Sequence, residues 1–213
     1  MEILFVTGSV FSCSVDPCYR CFSNGGGAMM GKVAELQGEV VKKNLFIRYV
    51  IKMRGGERAP SRTNFADAAT GAVGGLICML LLVGLTNYTD TPWLMASMGG
   101  SCVLVFVVWN APLSQPRNII GGHFISAFIG ILFYSLFGSS ILSITFGVGL
   151  TIFCMAILGI IHPPAGANPI IIIVGGYSWS YLVAPVLIGA VIIVLIGLLI
   201  NNLRDTRKYP VYW

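Results

Sequence analysis

Ile161-His162-Pro163-Pro164-Ala165-Gly166-Ala167-Asn168-Pro169 interrupts two apolar runs without introducing a charge. Prolines at 163, 164 and 169 are incompatible with a regular helix, because each lacks an N–H and crowds the preceding turn. In lipid, backbone groups freed by such a break must find partners inside the protein or in a water-filled cavity. A broken segment carrying His162 and Asn168 at membrane depth is therefore a candidate site rather than an arbitrary loop.

The surrounding composition supports that depth. Of 213 residues, 56% are hydrophobic and 10% are charged, and the mean hydropathy is +0.84. Between Asp67 and Asn202 the only charged residues are Asp67, Asp90 and Arg117, and nine of the 13 Lys and Arg precede Asp67. The net charge of +5 thus describes the flanks of hydrophobic spans. That pattern argues against a nucleic-acid partner and for contact with anionic lipid headgroups of a bilayer. Cys78, Cys102 and Cys154 lie within apolar runs, where a free thiol behaves as a small hydrophobe. Cys13, Cys18 and Cys21 lack a fourth ligand nearby, so neither a metal nor another cofactor is expected.

The chain divides into four stretches. Residues 1–28 form an extension without a basic signal-peptide start, and Met29 or Met30 is the expected natural start. Residues 29–66 are basic, and apolar side chains interleave with cations between Leu45 and Lys52. This predicts an interfacial helix ending near Gly55-Gly56. Residues 67–203 form the transmembrane domain, and 204–213 a cytoplasmic tail. The apolar runs are 68–85, 93–109, 119–137, 141–161, a short 169–176, and 181–201; about 20 residues are needed to span a bilayer. Trp93 and Trp109 bracket the second run like an interface belt. Asp67 and Asp90 sit at span ends, where exposed carboxylates are expected.

Charge asymmetry selects the topology. The basic N-terminal segment belongs inside, and so does the loop with Arg117. Five crossings place Arg204, Arg207 and Lys208 outside, against the rule. Six place them inside, with the proline segment and 169–176 crossing together. The expectation is an all-α, multi-pass protein of the cell (inner) membrane with both termini cytoplasmic. A shift of 67 residues supports six crossings: Gly99 falls on Gly166, Gly122 on Gly189 and Gly130 on Gly197, and residues 98–101 fall on 165–168. Three spans per copy make the second copy inverted, a 3+3 repeat common in transporters, with interrupted segments marking the binding site.

The candidate site follows. A half-helix beginning at Pro163-Pro164 presents free N–H groups and a partial positive end, which suits an anion. Gly166 and Asn168 flank it, and Ser97, Gly99 and Ser101 form the pseudo-symmetric partner. His162 adds a donor whose protonation changes near neutral pH. A second group is Gln115, Arg117, Asn118 and His123. Arg117 either attracts anions to a vestibule or anchors the loop at headgroups, and Gly121-Gly122 allow close helix packing. No nucleophile elbow, zinc-protease helix or P-loop is present, so no enzyme is expected.

Ala111-Pro112-Leu113-Ser114-Gln115-Pro116-Arg117-Asn118, Gly121-Gly122-His123, His162-Pro163-Pro164-Ala165-Gly166-Ala167 and the tail from Asn201-Asn202-Leu203 to Tyr209-Pro210 resemble the HPP family of integral membrane proteins. The resemblance covers roughly residues 45–213. It implies that nitrite is the cargo, since a plastid and cyanobacterial branch moves that ion; some other members carry an added CBS regulatory domain, which is not expected here. Asn168-Pro169 departs from the small and aliphatic pair the resemblance implies. The residue reading adds a small anion at the midplane, moved passively or with protons through His162 or His123. The alternatives are a membrane scaffold recruiting a partner through its basic segment and a membrane enzyme using His162 and Asn168. Small residues at Gly71, Ala72 and Gly75 favour a homo-oligomer.

Overall fold

A long apolar run in lipid can satisfy its own backbone only as a helix or in a closed barrel, and these runs are helical. The computed structural model describes residues 45–53, 59, 63–89 and 91–213. The 1–28 extension, the first three cysteines, Met29, Met30, Gly55-Gly56 and Asp90 lie outside the described residues. The chain divides into Met1–Pro60 and Ser61–Trp213. The first unit contains α1 (Leu45–Met53), in which Arg48 and Lys52 stand one turn apart among apolar residues.

The second unit contains α2 (Phe65–Thr89), α3 (Ala96–Val107), α4 (Pro116–Phe137), α5 (Ile141–Ile157), α6 (Asn168–Gly175) and α7 (Ile188–Asn202). A 3-10 turn, Pro112–Ser114, precedes α4, and another, Pro163–Ala167, leads into α6. Local chemistry sets several boundaries. Pro116 opens α4 at a position where its missing N–H costs nothing. The Ser140 side chain accepts from Ser143 N–H to cap α5. Gly176, at φ +66°, closes α6 in the left-handed conformation. Pro185 forces Ala184 out of the helical region, to φ −126° and ψ 118°, and kinks the segment entering α7.

Among the described residues, three segments are long and apolar enough to cross a membrane: Phe65–Thr89, Pro116–Phe137 and Leu182–Asn202. Ala96–Val107, Ile141–Ile157 and Pro163–Gly175 are apolar but shorter. At 1.5 Å per residue α3 covers about 18 Å, well short of the hydrocarbon core of about 30 Å. The short run expected at 169–176 thus begins six residues earlier, because the prolines support a tight 3-10 turn at its start.

Contacts between helix ends give the direction of each segment. Asp67, at the start of α2, pairs with Arg204 and Arg207, just beyond α7. The last turn of α3 lies at this same end, since the Phe106 carbonyl accepts from Arg207. So does the start of α4, since the Gln115 side chain accepts from Val211 N–H. Asn118 bonds the Ile161 carbonyl, which brings the end of the α5 segment there too. At the opposite end, Leu94 N–H reaches Thr86, Gly176 lies against Tyr134, and the Tyr181 hydroxyl meets Met95 Sδ. The six apolar segments therefore alternate in direction, and the chain enters and leaves the bundle at one end.

Glycines let the helices approach. A Cβ at Gly130 would lie 2.8 Å from Pro169 Cα, and one at Gly197 2.5 Å from Val105 Cγ1. Gly130→Ala and Gly197→Ala are each expected to destabilise by about 1–3 kcal/mol, the usual cost of overpacking. Unfolding temperature in detergent measures this. Gly75→Ala is the control, because its Cβ meets nothing within 4 Å. Of the small residues expected to favour self-association, Gly71 is used inside the chain against Phe106, whereas Ala72 is exposed.

Candidate functional site

The break at His162 does not open to solvent: His162, His123, Ser101 and Asn168 are all fully buried. Gly122 makes this possible. A Cβ there would lie 2.8 Å from His162 Cβ and 3.2 Å from the Ile160 carbonyl, so only glycine lets the segment before the prolines lie against α4. Gly100 of α3 similarly faces the Pro164 ring. The three elements meet where each contributes a polar side chain.

For two neutral rings, hydrogen-bond chemistry sets the tautomers. His162 Nδ1 is 2.8 Å from the Leu113 carbonyl, which can only accept. His162 therefore carries its proton on Nδ1 and offers a lone pair at Nε2. Ser101 Oγ stands 2.7 Å from that lone pair and donates to it. With its only proton committed, Ser101 Oγ accepts from His123 Nε2 at 2.9 Å. His123 Nδ1 then holds a lone pair, to which Asn168 Nδ2 donates at 3.0 Å. The other Asn168 N–H goes to Ser126 Oγ at 2.8 Å, and Ser126 donates to the His123 carbonyl. The result is a polarised chain from Asn168 through His123, Ser101 and His162 to Leu113, with both rings neutral. The ring centroids are 5.2 Å apart.

Among the described residues, four buried side-chain atoms have no hydrogen-bond partner: Ser97 Oγ, Asn168 Oδ1, Asn118 Oδ1 and Thr151 Oγ1. The first two belong to this cluster. Ser97 lies one turn before Ser101, and its carbonyl is 2.9 Å from Ser101 Oγ. An unpaired buried polar group costs about 1–3 kcal/mol, so such orphans are uncommon unless they serve a purpose.

The other sequence-derived residues divide in two. Gly99 and Gly166 lie half-buried on the segments beside the cluster, and Pro163 is exposed at its edge. Gln115 belongs to the helix-end junction: it donates to the Trp109 and Ala111 carbonyls and accepts from Val211 N–H. Asn118 donates to the Ile161 carbonyl at 3.1 Å, immediately before His162. Arg117 is exposed and reaches the Leu158 carbonyl at 3.3 Å, where a cation complements the end of α5. The sequence reading missed Ser126, although it stands one turn after His123 on α4, and it missed the Leu113 carbonyl, which no sequence pattern marks.

Several expectations at the helix ends need correction. Asp67 is no exposed interfacial carboxylate: Arg204 Nη1 lies 2.6 Å and Arg207 Nε 2.9 Å from its Oδ1. Arg207 is no lipid-facing cation: its side chain is fully buried and lies over the Trp109 ring at 3.9 Å. Trp93 does not form a belt either, being buried with its Nε1 donating to Thr89 at 2.7 Å. Tyr209 of the tail is buried and donates to the Ser114 carbonyl. Burial raises the pKa of its phenol above the usual range.

These helices, with their short polar chain at a proline break, define a multi-pass membrane protein whose polar groups are turned inward. The HPP transmembrane region matches residues 60–210, and the chain belongs to that family. It is 33% identical over 184 residues to a transmembrane protein of Dictyostelium discoideum, covering 80% of this chain and 59% of that protein. A second Dictyostelium discoideum transmembrane protein is 36% identical over 148 residues, covering 63% of this chain and 52% of the relative. The chain thus spans between half and three fifths of the length of these relatives. No solved structure matches it.

Proposed function

We propose that the protein is a transporter or channel for a small inorganic anion, with nitrite as the cargo and the His162 segment as the binding site. The observation that carries this reading is the buried polar chain joining α3, α4 and the proline break in an otherwise apolar bundle. Intramembrane polar groups are costly and usually mark substrate or ion pathways. The Ser97 hydroxyl is a buried donor without an acceptor, one helical turn before Ser101 of the polar chain. A flat, singly charged acceptor suits such a set. Nitrite itself rests on the family resemblance.

The inverted repeat belongs to the same reading, and two observations support it. Displaced by 67, Ala96 and Val107 fall on Pro163 and Val174, so α3 overlays the broken segment Pro163–Gly175, which runs in the opposite direction. Packing is also reciprocal. Gly130 meets Ile172 and Gly197 meets Val105, and the same shift relates Gly130 to Gly197 and Val105 to Ile172. It also relates Ser101 to Asn168, both members of the buried chain.

Uptake of labelled nitrite into proteoliposomes tests the function. The expected result is uptake well above that of empty vesicles; a rate equal to empty vesicles refutes it, and stable co-purification with a partner in that case favours a scaffold. Basic residues at both flanks favour a cytoplasmic side for both ends of the bundle by the positive-inside rule. A reporter fused after Trp213 is expected to score cytoplasmic, and a periplasmic signal refutes that orientation.

A further inference from the structure

The two histidines meet on one hydroxyl. Ser101 Oγ lies within hydrogen-bond distance of His123 Nε2, His162 Nε2 and the Ser97 carbonyl, yet it has a single proton to give. In the neutral arrangement that proton goes to His162. The Ser97 carbonyl, 2.9 Å away, is a second acceptor already in place.

We propose that His162, Ser101 and His123 form a binding site for one proton, which is carried together with the anion. This rests on the anion-transport reading above. The step balances simply. An incoming proton takes the lone pair of His162 Nε2, making imidazolium. The Ser101 hydroxyl swings from His162 Nε2 to the Ser97 carbonyl. Ser101 Oγ then accepts N–H bonds from both rings, one through each lone pair, and no bond is lost to His123, Asn168 or Leu113. Release reverses each move.

The surroundings limit the site to a single charge. Ring centroids 5.2 Å apart place two imidazolium charges too close together in a medium of low dielectric. Among the described residues, no carboxylate bonds either ring. Arg117 of α4 is turned to the Leu158 carbonyl, and Asp67, Arg204 and Arg207 pair among themselves at the helix-end junction. The other titratable groups on the packed elements are thiols and phenols: Cys78 on α2, Cys102 on α3, Tyr134 on α4, Cys154 on α5, and the stacked pair Tyr177 and Tyr181, of which Tyr181 is bonded to Met95. A buried cation in these surroundings is costly by itself. A monovalent anion beside His162 cancels that charge, so proton and anion each favour the other's entry.

Two measurements test this. Nitrogen NMR of 15N-histidine-labelled protein in lipid reports each ring directly. Acidification is expected to add one proton per chain, with the signals of both rings moving together. In Ser101→Ala the rings should titrate independently, whereas Ser101→Thr, which keeps the hydroxyl, should retain the joint behaviour. Two protons taken up, or none before unfolding, overturns the proposal. For flux, an inward acid gradient of one pH unit at zero potential, at neutral to alkaline pH, should concentrate labelled nitrite about tenfold inside over outside, as one-to-one coupling requires, and faster than in empty vesicles. Nitrite exchange without gradient-driven accumulation overturns coupling but leaves anion transport intact. Absence of any nitrite movement refutes the anion reading, and the NMR result alone then decides the proton site.

Discussion

His162→Ala is expected to reduce nitrite flux in proteoliposomes to the rate of empty vesicles. Among the described residues, the imidazole alone links the Leu113 carbonyl to Ser101. Its removal leaves the carbonyl unpaired and the Ser101 hydroxyl free to settle on Ser97, at about 1–3 kcal/mol for a buried group left unsatisfied. Loss of flux from unfolding and loss from chemistry need separating, and His162→Gln does this. A glutamine amide has one donor and one acceptor end, which together can serve Leu113 and Ser101, but it does not take up a proton. His162→Gln should therefore unfold close to the wild-type temperature while losing flux as His162→Ala does. Flux at wild-type level in a folded His162→Gln removes the imidazole from the pathway.

The division between what the chain discloses and what it conceals has a physical basis. Apolar runs, helix breaks and the small-residue match at a shift of 67 are local or periodic, and they pointed to the six segments and to the pairing of Ser101 with the His162 segment. The sequence also singled out His123 and Asn168, but their bond to each other spans 45 residues and depends on how closely Gly122 lets two elements meet. The helix-end junction lies beyond local patterns for a similar reason. Charges beside an apolar run ordinarily face water or headgroups, and nothing local distinguishes Arg207 from Lys208. Only the return of the tail across the ends of α2 and α3, 140 residues from Asp67, turns Arg207 inward. Gln115 looked like a ligand group because it is polar and next to prolines, whereas its amide serves the backbone of the turn and the tail.

That junction gives the second large effect. Asp67→Asn is expected to lower the unfolding temperature more than any other change at this junction, because it removes the carboxylate that Arg204 and the buried Arg207 share. Arg207 donates from Nε to Asp67 Oδ1, from Nη2 to the Asp67 carbonyl at 2.7 Å, and from Nη1 to Asn201 Oδ1 and the Phe106 carbonyl. Three of these bonds survive the substitution, but the compensating charge does not, and Arg207 cannot discard its proton. Arg204 lies at 2.6 Å from the same oxygen, so neutralising Asp67 also brings two cations together without an anion between them. The start of α2 loosens as well, because Asn64 Nδ2 donates to Asp67 Oδ2 at 2.7 Å while Asp67 N–H donates back to Asn64. Thermal unfolding in detergent measures the effect. Adding Arg207→Met to Asp67→Asn should recover part of the loss, since an apolar side chain over Trp109 removes the stranded charge. A double variant less stable than Asp67→Asn shows that Arg207 holds the tail through its three remaining hydrogen bonds and its stacking on Trp109, more than through its charge.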